Sequence, residues 1–203
     1  MMRYKGLMPI GICIRLVAIF VAIAVCGCSA YAPPQIDKET GLYKIEGKLS
    51  ESASLRMDTS QDPRRFRFVL LNAESAYYQD QLEFAARQAL ADLGFMQVFN
   101  KSEFGSFVKM QQLSGKVAIQ GPMSMSRISD MVGPFLIMNF SSVAYNDSDI
   151  VVKLNLMDAS SGKRLLVVDD ARYVWVSHDF EAYFPVLNEM RRWYMDSVRN
   201  ESI

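Results

Sequence analysis

The chain has 203 residues, of which 50% are hydrophobic and 22% charged, with 22 basic and 22 acidic side chains. This length is sufficient for a single domain with one hydrophobic core. The balanced charge excludes a strongly basic protein, and we expect no nucleic acid among its partners because phosphate binding needs a basic surface.

The N-terminus has the pattern of a secretory signal peptide. Residues 16–25 are uncharged and mostly aliphatic, and they follow a segment that carries Arg3, Lys5 and Arg15. This apolar run is shorter than the roughly 20 residues that a membrane-spanning helix needs. It has the length of the apolar core of a signal peptide.

The next residues, Val25-Cys26-Gly27-Cys28, resemble a bacterial lipobox. The resemblance implies cleavage before Cys28 and acylation, palmitate included, of its thiol and new amino group. Cleavage before Cys26 is the alternative, but it places bulky Val25 where the signal peptidase requires a small side chain. With cleavage before Cys28, Cys13 and Cys26 leave with the leader, so we expect no disulfide and stability from packing alone.

We predict a signal peptide at 1–27, a lipidated tether at 28–41 and a single periplasm-facing α/β domain at 42–203. Three of the basic and none of the acidic residues lie in the leader, so the mature chain would carry a net charge of about −3. Ser29 follows the lipid cysteine where inner-membrane lipoproteins have Asp, which implies the periplasmic face of the outer membrane. The tether, from Ser29 to about Glu39, spans at most about 40 Å.

The periodicity of apolar residues predicts nine main elements after the tether. Gly94 stands where a helix favours a left-handed residue, and Asn100 and Glu103 have the spacing of a capping box. In chain order we predict a weak edge strand or hairpin within 42–57, a strand at 67–71, helix 76–93, strand 95–99, helix 101–113, helix 124–132, strands at 135–145, 150–158 and 165–176, and helix 185–199. The order β-α-β-α-α-β-β-β-α indicates an α/β (α+β) sandwich: a mixed sheet with an antiparallel hairpin and helices packed on it.

From Phe66 to Tyr173 this layout resembles a superfamily of envelope proteins. Its members include the amino-terminal domain of TolB, curli-secretion lipoproteins and lipoprotein activators of penicillin-binding proteins. The matching motifs are Gly94-Phe95, MVGPFLIMNFS at 131–141 and LMDASSGKRL at 156–165. Pro134 and Asn139 replace the usual Ala and Gly. These motifs mark turns and strand ends, so the resemblance implies a fold rather than an activity.

The residue types that carry catalysis are sparse, and we predict neither an enzyme nor a cofactor. His178 stands beside Asp179, but no G-x-S-x-G motif accompanies them, so we interpret both as polar loop residues. No His/Cys cluster occurs, and the Asp147–Asp149 turn lacks the further ligands of a calcium loop, so we predict no metal. Asp169 and Asp170 should point to opposite faces of a strand, as solvated edge charges.

The densest positive charge of the mature chain is formed by Arg64, Arg65 and Arg67. On an extended segment Arg65 and Arg67 would share one face. Their guanidinium groups are candidate contacts for an anionic ligand (a phosphate or carboxylate of lipopolysaccharide, anionic lipid or peptidoglycan) or for a partner. The alternative is that their charges prevent an edge strand from pairing with another chain.

These observations together predict an outer-membrane lipoprotein that acts as a non-enzymatic binding or assembly factor in the cell envelope. Its partners would be the membrane, through the N-terminal lipid, and another envelope protein. The sequence leaves the oligomeric state open. A subunit of a curli-like secretion or pore complex is the alternative. An activator of a peptidoglycan synthase is the second alternative, which a short tether disfavours.

Overall fold

The computed structural model describes residues 34–75, 79–113, 122–144, 149–173 and 180–200. The predictions on Cys28, on His178 and Asp179 and on the start of the Asp147–Asp149 turn lie outside the described residues. The boundaries predicted for the signal peptide, the tether and the domain stay predictions.

One mixed, six-stranded sheet forms the centre of the described fold. Its strands are β1 (Ser54–Met57), β2 (Val69–Ser75), β3 (Val98–Phe99), β4 (Leu136–Ala144), β5 (Asp149–Asp158) and β6 (Arg164–Tyr173). Their order across the sheet is β1-β6-β5-β4-β2-β3. Strands β3, β2 and β4 are parallel, whereas β4, β5, β6 and β1 pair in antiparallel fashion. The predicted mixed sheet with an antiparallel hairpin is confirmed.

The described helices are α1 (Gln79–Asp92), α2 (Lys101–Met110), α3 (Pro122–Val132) and α4 (Phe184–Asn200), with 3₁₀ turns at Pro63–Arg65 and Phe180–Tyr183. The predicted capping box is confirmed: the Asn100 side chain accepts a bond from the Glu103 NH, and the Glu103 carboxylate accepts one from the Asn100 NH. Gly94 has a φ of +90°, the left-handed conformation expected after α1. None of the described helices is long and apolar enough to span a membrane.

Each face of the sheet buries its own hydrophobic layer. On one face α1 and α4 cover residues such as Leu71, Met138 and Leu154. On the other, α2 and α3 enclose an aromatic cluster in which the rings of Phe68 and Phe135 stack 4.6 Å apart. The layers arise because the connection from β2 to β3 crosses one face and the connection from β3 to β4 crosses the other.

The three parallel strands begin at one end of the sheet, which we call the basal end. It is formed by residues 58–68, 93–97, 131–135 and 159–164, and α1, α2 and α3 lead toward it. Backbone hydrogen bonds join these segments side by side: Val69 NH to Gln97 O at 3.0 Å, Arg67 NH to Pro134 O at 2.9 Å and Ala159 NH to Phe135 O at 3.0 Å.

The segment before β1 packs against the core although its apolar residues are sparse. Tyr43 is buried, and its backbone NH and O bond the side chain of Asn188 on α4 at 2.8 and 3.2 Å. Its hydroxyl donates to Asp92, at the end of α1, at 2.6 Å. The Ser50 NH donates to Asp170, and the Trp193 indole NH donates to Asp58 O, both at 2.9 Å.

Candidate functional site

The structure places the three predicted arginines at the basal end, where each guanidinium has a different partner. Arg64 pairs with Asp62 at 2.9 Å, Arg65 donates to Asp158 at 2.7 Å and Arg67 donates to the Val132 carbonyl at 3.2 Å. Arg65 closes a 3₁₀ turn, so the predicted shared face of an extended segment is wrong. The role of these arginines as ligand contacts stays a prediction.

The alternative for the arginines, protection of an edge strand, is also wrong. The strand that they precede, β2, is paired along its length by β4 and on its other side by β3 at Val69 and Leu70, and the edges of the sheet are β1 and β3. The physical reason is that the short β3 is added beside β2 after α1 crosses the sheet. The arginines instead fix local geometry: the Arg67 side chain lies against Gly133, where a Cβ would be 2.7 Å from Arg67 Cδ.

Asp158 is the most heavily bonded carboxylate of the basal end. It is 1% exposed and accepts hydrogen bonds from Arg65, from the Ser160 NH and hydroxyl at 2.8 and 2.7 Å, and from the Ser161 hydroxyl at 2.9 Å. Burial raises the pKa of Asp158. The hydrogen bonds from the two serines and the charge of Arg65 lower this pKa by more than burial raises it, so the pKa lies below its ordinary value. The sequence motif marked this turn but gave no sign of Arg65.

A second ion pair closes the same end beside the β5–β6 turn. Lys163 Nζ lies 2.6 Å from the Asp58 carboxylate. The hydrogen bonds from Lys163 and Ser60 lower the pKa of Asp58 to about 2. Because Asp58 follows β1 and Lys163 precedes β6, the pair fixes the edge strand to its neighbour.

Three cations of the basal end have no carboxylate partner within the described part of the chain. They are Arg67, Lys109 on the last turn of α2, and Arg164 at the start of β6, and all three are exposed. Three methionines are exposed as well: Met96 by 96%, Met110 by 75% and Met131 by 49%. The basal end therefore presents to solvent both large apolar side chains and cations that lack a carboxylate partner.

At the opposite end of the sheet there is a cleft of about 220 Å³. It is lined by Leu71–Ala73 of β2, by Glu83 of α1 and by Asn100–Ser102 at the start of α2. The chain leaves β2 toward one face and β3 toward the other, and such switch points are frequent ligand sites in α/β sheets. Sequence reasoning missed this cleft because its lining comes from three segments that no sequence motif links.

The interpretation of Asp169 and Asp170 as solvated edge charges is wrong for Asp170. Asp170 is fully buried and accepts the Ser50 NH, because β1 and the segment before it cover β6. Asp169 is about half exposed and lies 3.8 Å from Lys153. Among the residues that the structure describes, no group of three or more His, Cys, Asp or Glu could hold a metal ion.

No family model matches the chain, and no curated protein sequence matches it. Three of the solved structures that it resembles are as follows. The PelC dodecamer from Paraburkholderia phytofirmans has 12% identity and a TM-score of 0.39, covering 68% of this chain and 94% of that one. The LpoB C-terminal domain from Salmonella enterica has 18% identity and a TM-score of 0.36, covering 56% and 87%. Lipoprotein GNA1162 from Neisseria meningitidis has 14% identity and a TM-score of 0.40, covering 62% and 95%. Likeness at this level transfers no residue role and no function.

Proposed function

We propose that the chain is a lipid-anchored protein of the bacterial cell envelope that acts as a non-enzymatic binding or assembly factor. Acyl chains on Cys28 hold it on the periplasmic face of the outer membrane, where it meets another envelope protein. The observation that carries this proposal is the short stretch between the lipobox-like Cys28 and the first residues that contact the body of the domain.

That stretch is short because the segment before β1 is fixed to two helices. Ile36 forms a bridge with Tyr43 and packs against the core. Tyr43 in turn bonds Asn188 and Asp92. The eight steps along the chain from Cys28 to Ile36 span at most about 29 Å at ~3.6 Å per step. This reach is less than the roughly 40 Å that the predicted tether allowed, and it keeps the domain beside its own membrane.

A binding role agrees with the structural roles of the buried charges in the described domain. Asp158 secures the β5–β6 turn through Arg65 and two serines, and Glu189 pairs with Arg192 within α4. Burial raises the pKa of Glu189, and Arg192 opposes that rise. These groups hold turns and helices in place, whereas the exposed methionines and the cations without a carboxylate partner face solvent.

Chemical cross-linking in intact cells, followed by purification of the protein, tests the proposal. We expect the wild-type chain to cross-link to a protein of the membrane in which its acyl chains lie. The Cys28→Ala variant, which cannot be acylated there, should lose this product although the folded domain is unchanged. Equal products with both variants would contradict a role that depends on the anchor, and capture of a peptidoglycan synthase of the inner membrane would favour the activator alternative.

A further inference from the structure

We propose that the basal end is the face of the domain that lies on the membrane. Its contact surface, which we call the basal surface, consists of Met96, Met110, Met131, Arg67, Lys109 and Arg164. The occupant of this surface is the anionic phospholipid layer that carries the protein's own anchor. The inference rests on the proposed acylation of Cys28.

The three methionines are placed at one end by neighbouring chain segments. Met96 precedes Gln97, whose carbonyl accepts the NH of Val69 at the start of β2. Met131 precedes Val132, whose carbonyl accepts a bond from Arg67, so Arg67 stands between the two methionines in the order β3, β2, β4.

Met110 joins this group through the aromatic cluster. It lies on the last turn of α2, beyond Phe107, whose ring is 5.4 Å from that of Phe68. Phe68 is the residue immediately before β2, at the basal end. Lys109 precedes Met110 on the same turn, so a cation and an exposed apolar side chain are presented together.

The chemistry of this surface fits a phospholipid headgroup layer. Methionine side chains are flexible and apolar, so they fit an irregular apolar environment without a fixed shape. Cations close to an anionic lipid surface each add a favourable interaction. Three other basic residues of this end, Arg64, Arg65 and Lys163, already pair with carboxylates of the domain. Arg67, Lys109 and Arg164, which have no carboxylate partner among the described residues, therefore supply the remaining positive charge.

The position at which the tether joins the body also favours the basal end. The turn before Tyr43 contacts the middle of α4: Arg191 donates to Gly41 O, and a Cβ on Gly41 would lie 2.8 Å from Met195 Sδ. From there α4 leads to the basal end, since Asn200 bonds Thr59 just after β1. The Tyr43 hydroxyl reaches Asp92, where α1 ends at the same end of the sheet.

The length of the tether then favours one end of the sheet over the other as the end that faces the membrane. The nine residues of strand β4 are joined by eight steps, so the strand extends for about 26 Å at ~3.3 Å per step. The tether, which reaches at most about 29 Å, would have to be almost fully stretched along the whole sheet to let the opposite end rest on the membrane. With the basal end on the membrane, the tether does not need to be stretched.

Site-specific fluorescence on the acylated protein in vesicles of phosphatidylethanolamine and phosphatidylglycerol tests the inference. The mature chain has no cysteine other than Cys28, so Met96→Cys, Met131→Cys and Val143→Cys each provide one labelling site. Val143 is the matched control, because it is 52% exposed and apolar but lies near the far end of β4. We expect lipids with a nitroxide in the headgroup region to quench the probes at 96 and 131 at least twofold and the probe at 143 much less.

Equal quenching at the three positions, or none at 96 and 131, would overturn the inference. Probes at 96 and 131 that are shielded from aqueous iodide but not quenched by lipid would also overturn it, since protein would then cover the surface. Replacing phosphatidylglycerol with phosphatidylcholine should reduce the quenching at 96, and unchanged quenching would refute the contribution of the cations. Intact mass separates the two proposals: an unacylated Cys28 refutes the anchor, whereas an acylated but unquenched protein refutes only the basal surface.

Discussion

At the scale of single residues, Asp158 joins two parts of the chain that are distant in sequence. Its carboxylate accepts bonds from Arg65, ahead of β2, and from Ser160 and Ser161, in the β5–β6 turn. We expect Asp158→Ala to lower the free energy of unfolding by about 1–3 kcal/mol, because Ser160, Ser161 and Arg65 lose the buried carboxylate that accepts their hydrogen bonds. Urea denaturation of the purified domain measures this change.

Asp169→Ala is the matched control for Asp158→Ala. Asp169 is also a strand aspartate with a basic partner, but it is about half exposed and 3.8 Å from Lys153. Ion pairs of this kind contribute about 0–1 kcal/mol. Similar losses for the two variants would show that the buried hydrogen bonds of Asp158 add no stability.

The lowered pKa values of Asp58 and Asp158 predict how stability depends on pH. In each case the folded-state pKa is below the ordinary value, to about 2 for Asp58. The unfolded chain therefore binds protons first, and the stabilisation is present above about pH 4 and is lost as the pH falls through the folded-state pKa. We expect the free energy of unfolding to fall between about pH 4 and 2, and to fall less in Asp158→Asn. Parallel curves for the wild type and this variant would contradict the assignment.

The local residue patterns were predictable from the sequence, whereas the long-range pairs were not. The capping box of Asn100 and Glu103 and the left-handed Gly94 follow from spacing alone, since both involve neighbours along the chain. The pairing of Arg65 with Asp158 joins residues 93 positions apart. No local pattern encodes such a pair, because it depends on which strands become neighbours.

At the scale of elements, the segment before β1 shows why a weak apolar pattern can still belong to a packed body. Tyr43 is the buried residue of the segment 34–50, and its backbone is held by one side chain, Asn188. The hydrophobic pattern predicted only a weak strand or hairpin here. The contacts that order the segment lie on α4, more than 140 residues later in the chain.

We expect trypsin to cut the folded protein slowly at Lys38, Lys44 and Lys48. Asn188→Ala should accelerate this cleavage about tenfold or more, because two hydrogen bonds of about 1 kcal/mol each hold the segment closed. Mass spectrometry of the fragments over time gives the rates. Asn200→Ala is the control: Asn200 is exposed on the same helix, and its side chain bonds Thr59 rather than the segment before β1. Rapid cutting of the wild type throughout Lys38–Arg65 would mean a long free arm and would contradict the account of reach.

The sheet was predictable in composition but not in full order. The helices and strands from β2 to β6 follow from apolar periodicity and from glycine and proline positions, and the structure places them within a few residues of the predictions. The interior position of β2 and the antiparallel addition of β1 to β6 were not predictable. Both depend on crossovers whose direction a single sequence does not specify.

At the scale of the whole molecule, the candidate site is a surface rather than a catalytic centre. The sequence indicated the arginines of the basal end but not the exposed methionines beside them, since methionine at helical spacing is usual in a core. Which methionines are exposed depends on how α2 and α3 pack on the sheet. The leader and the lipobox-like motif, by contrast, are local patterns.

A longer tether should change the behaviour of the whole molecule. Inserting thirty Gly and Ser residues between Ala32 and Pro33 adds a flexible chain with a mean end-to-end distance of about 30 Å. We expect this insertion to weaken the quenching at position 96 by lipid and to leave the thermal stability of the domain unchanged. Quenching that is as strong as in the parent would show that the basal surface binds the membrane without help from the short tether.

Acylation of Cys28 is the most direct test of the account. Cells that express the wild type, Cys26→Ala or Cys28→Ala are labelled with an alkyne analogue of palmitate, and the purified chains are analysed by intact mass. The account predicts that the wild type and Cys26→Ala carry label on an N-terminal Cys28 and are recovered with the outer membrane, whereas Cys28→Ala carries none. An unlabelled wild type, or label that persists in Cys28→Ala, would contradict the account.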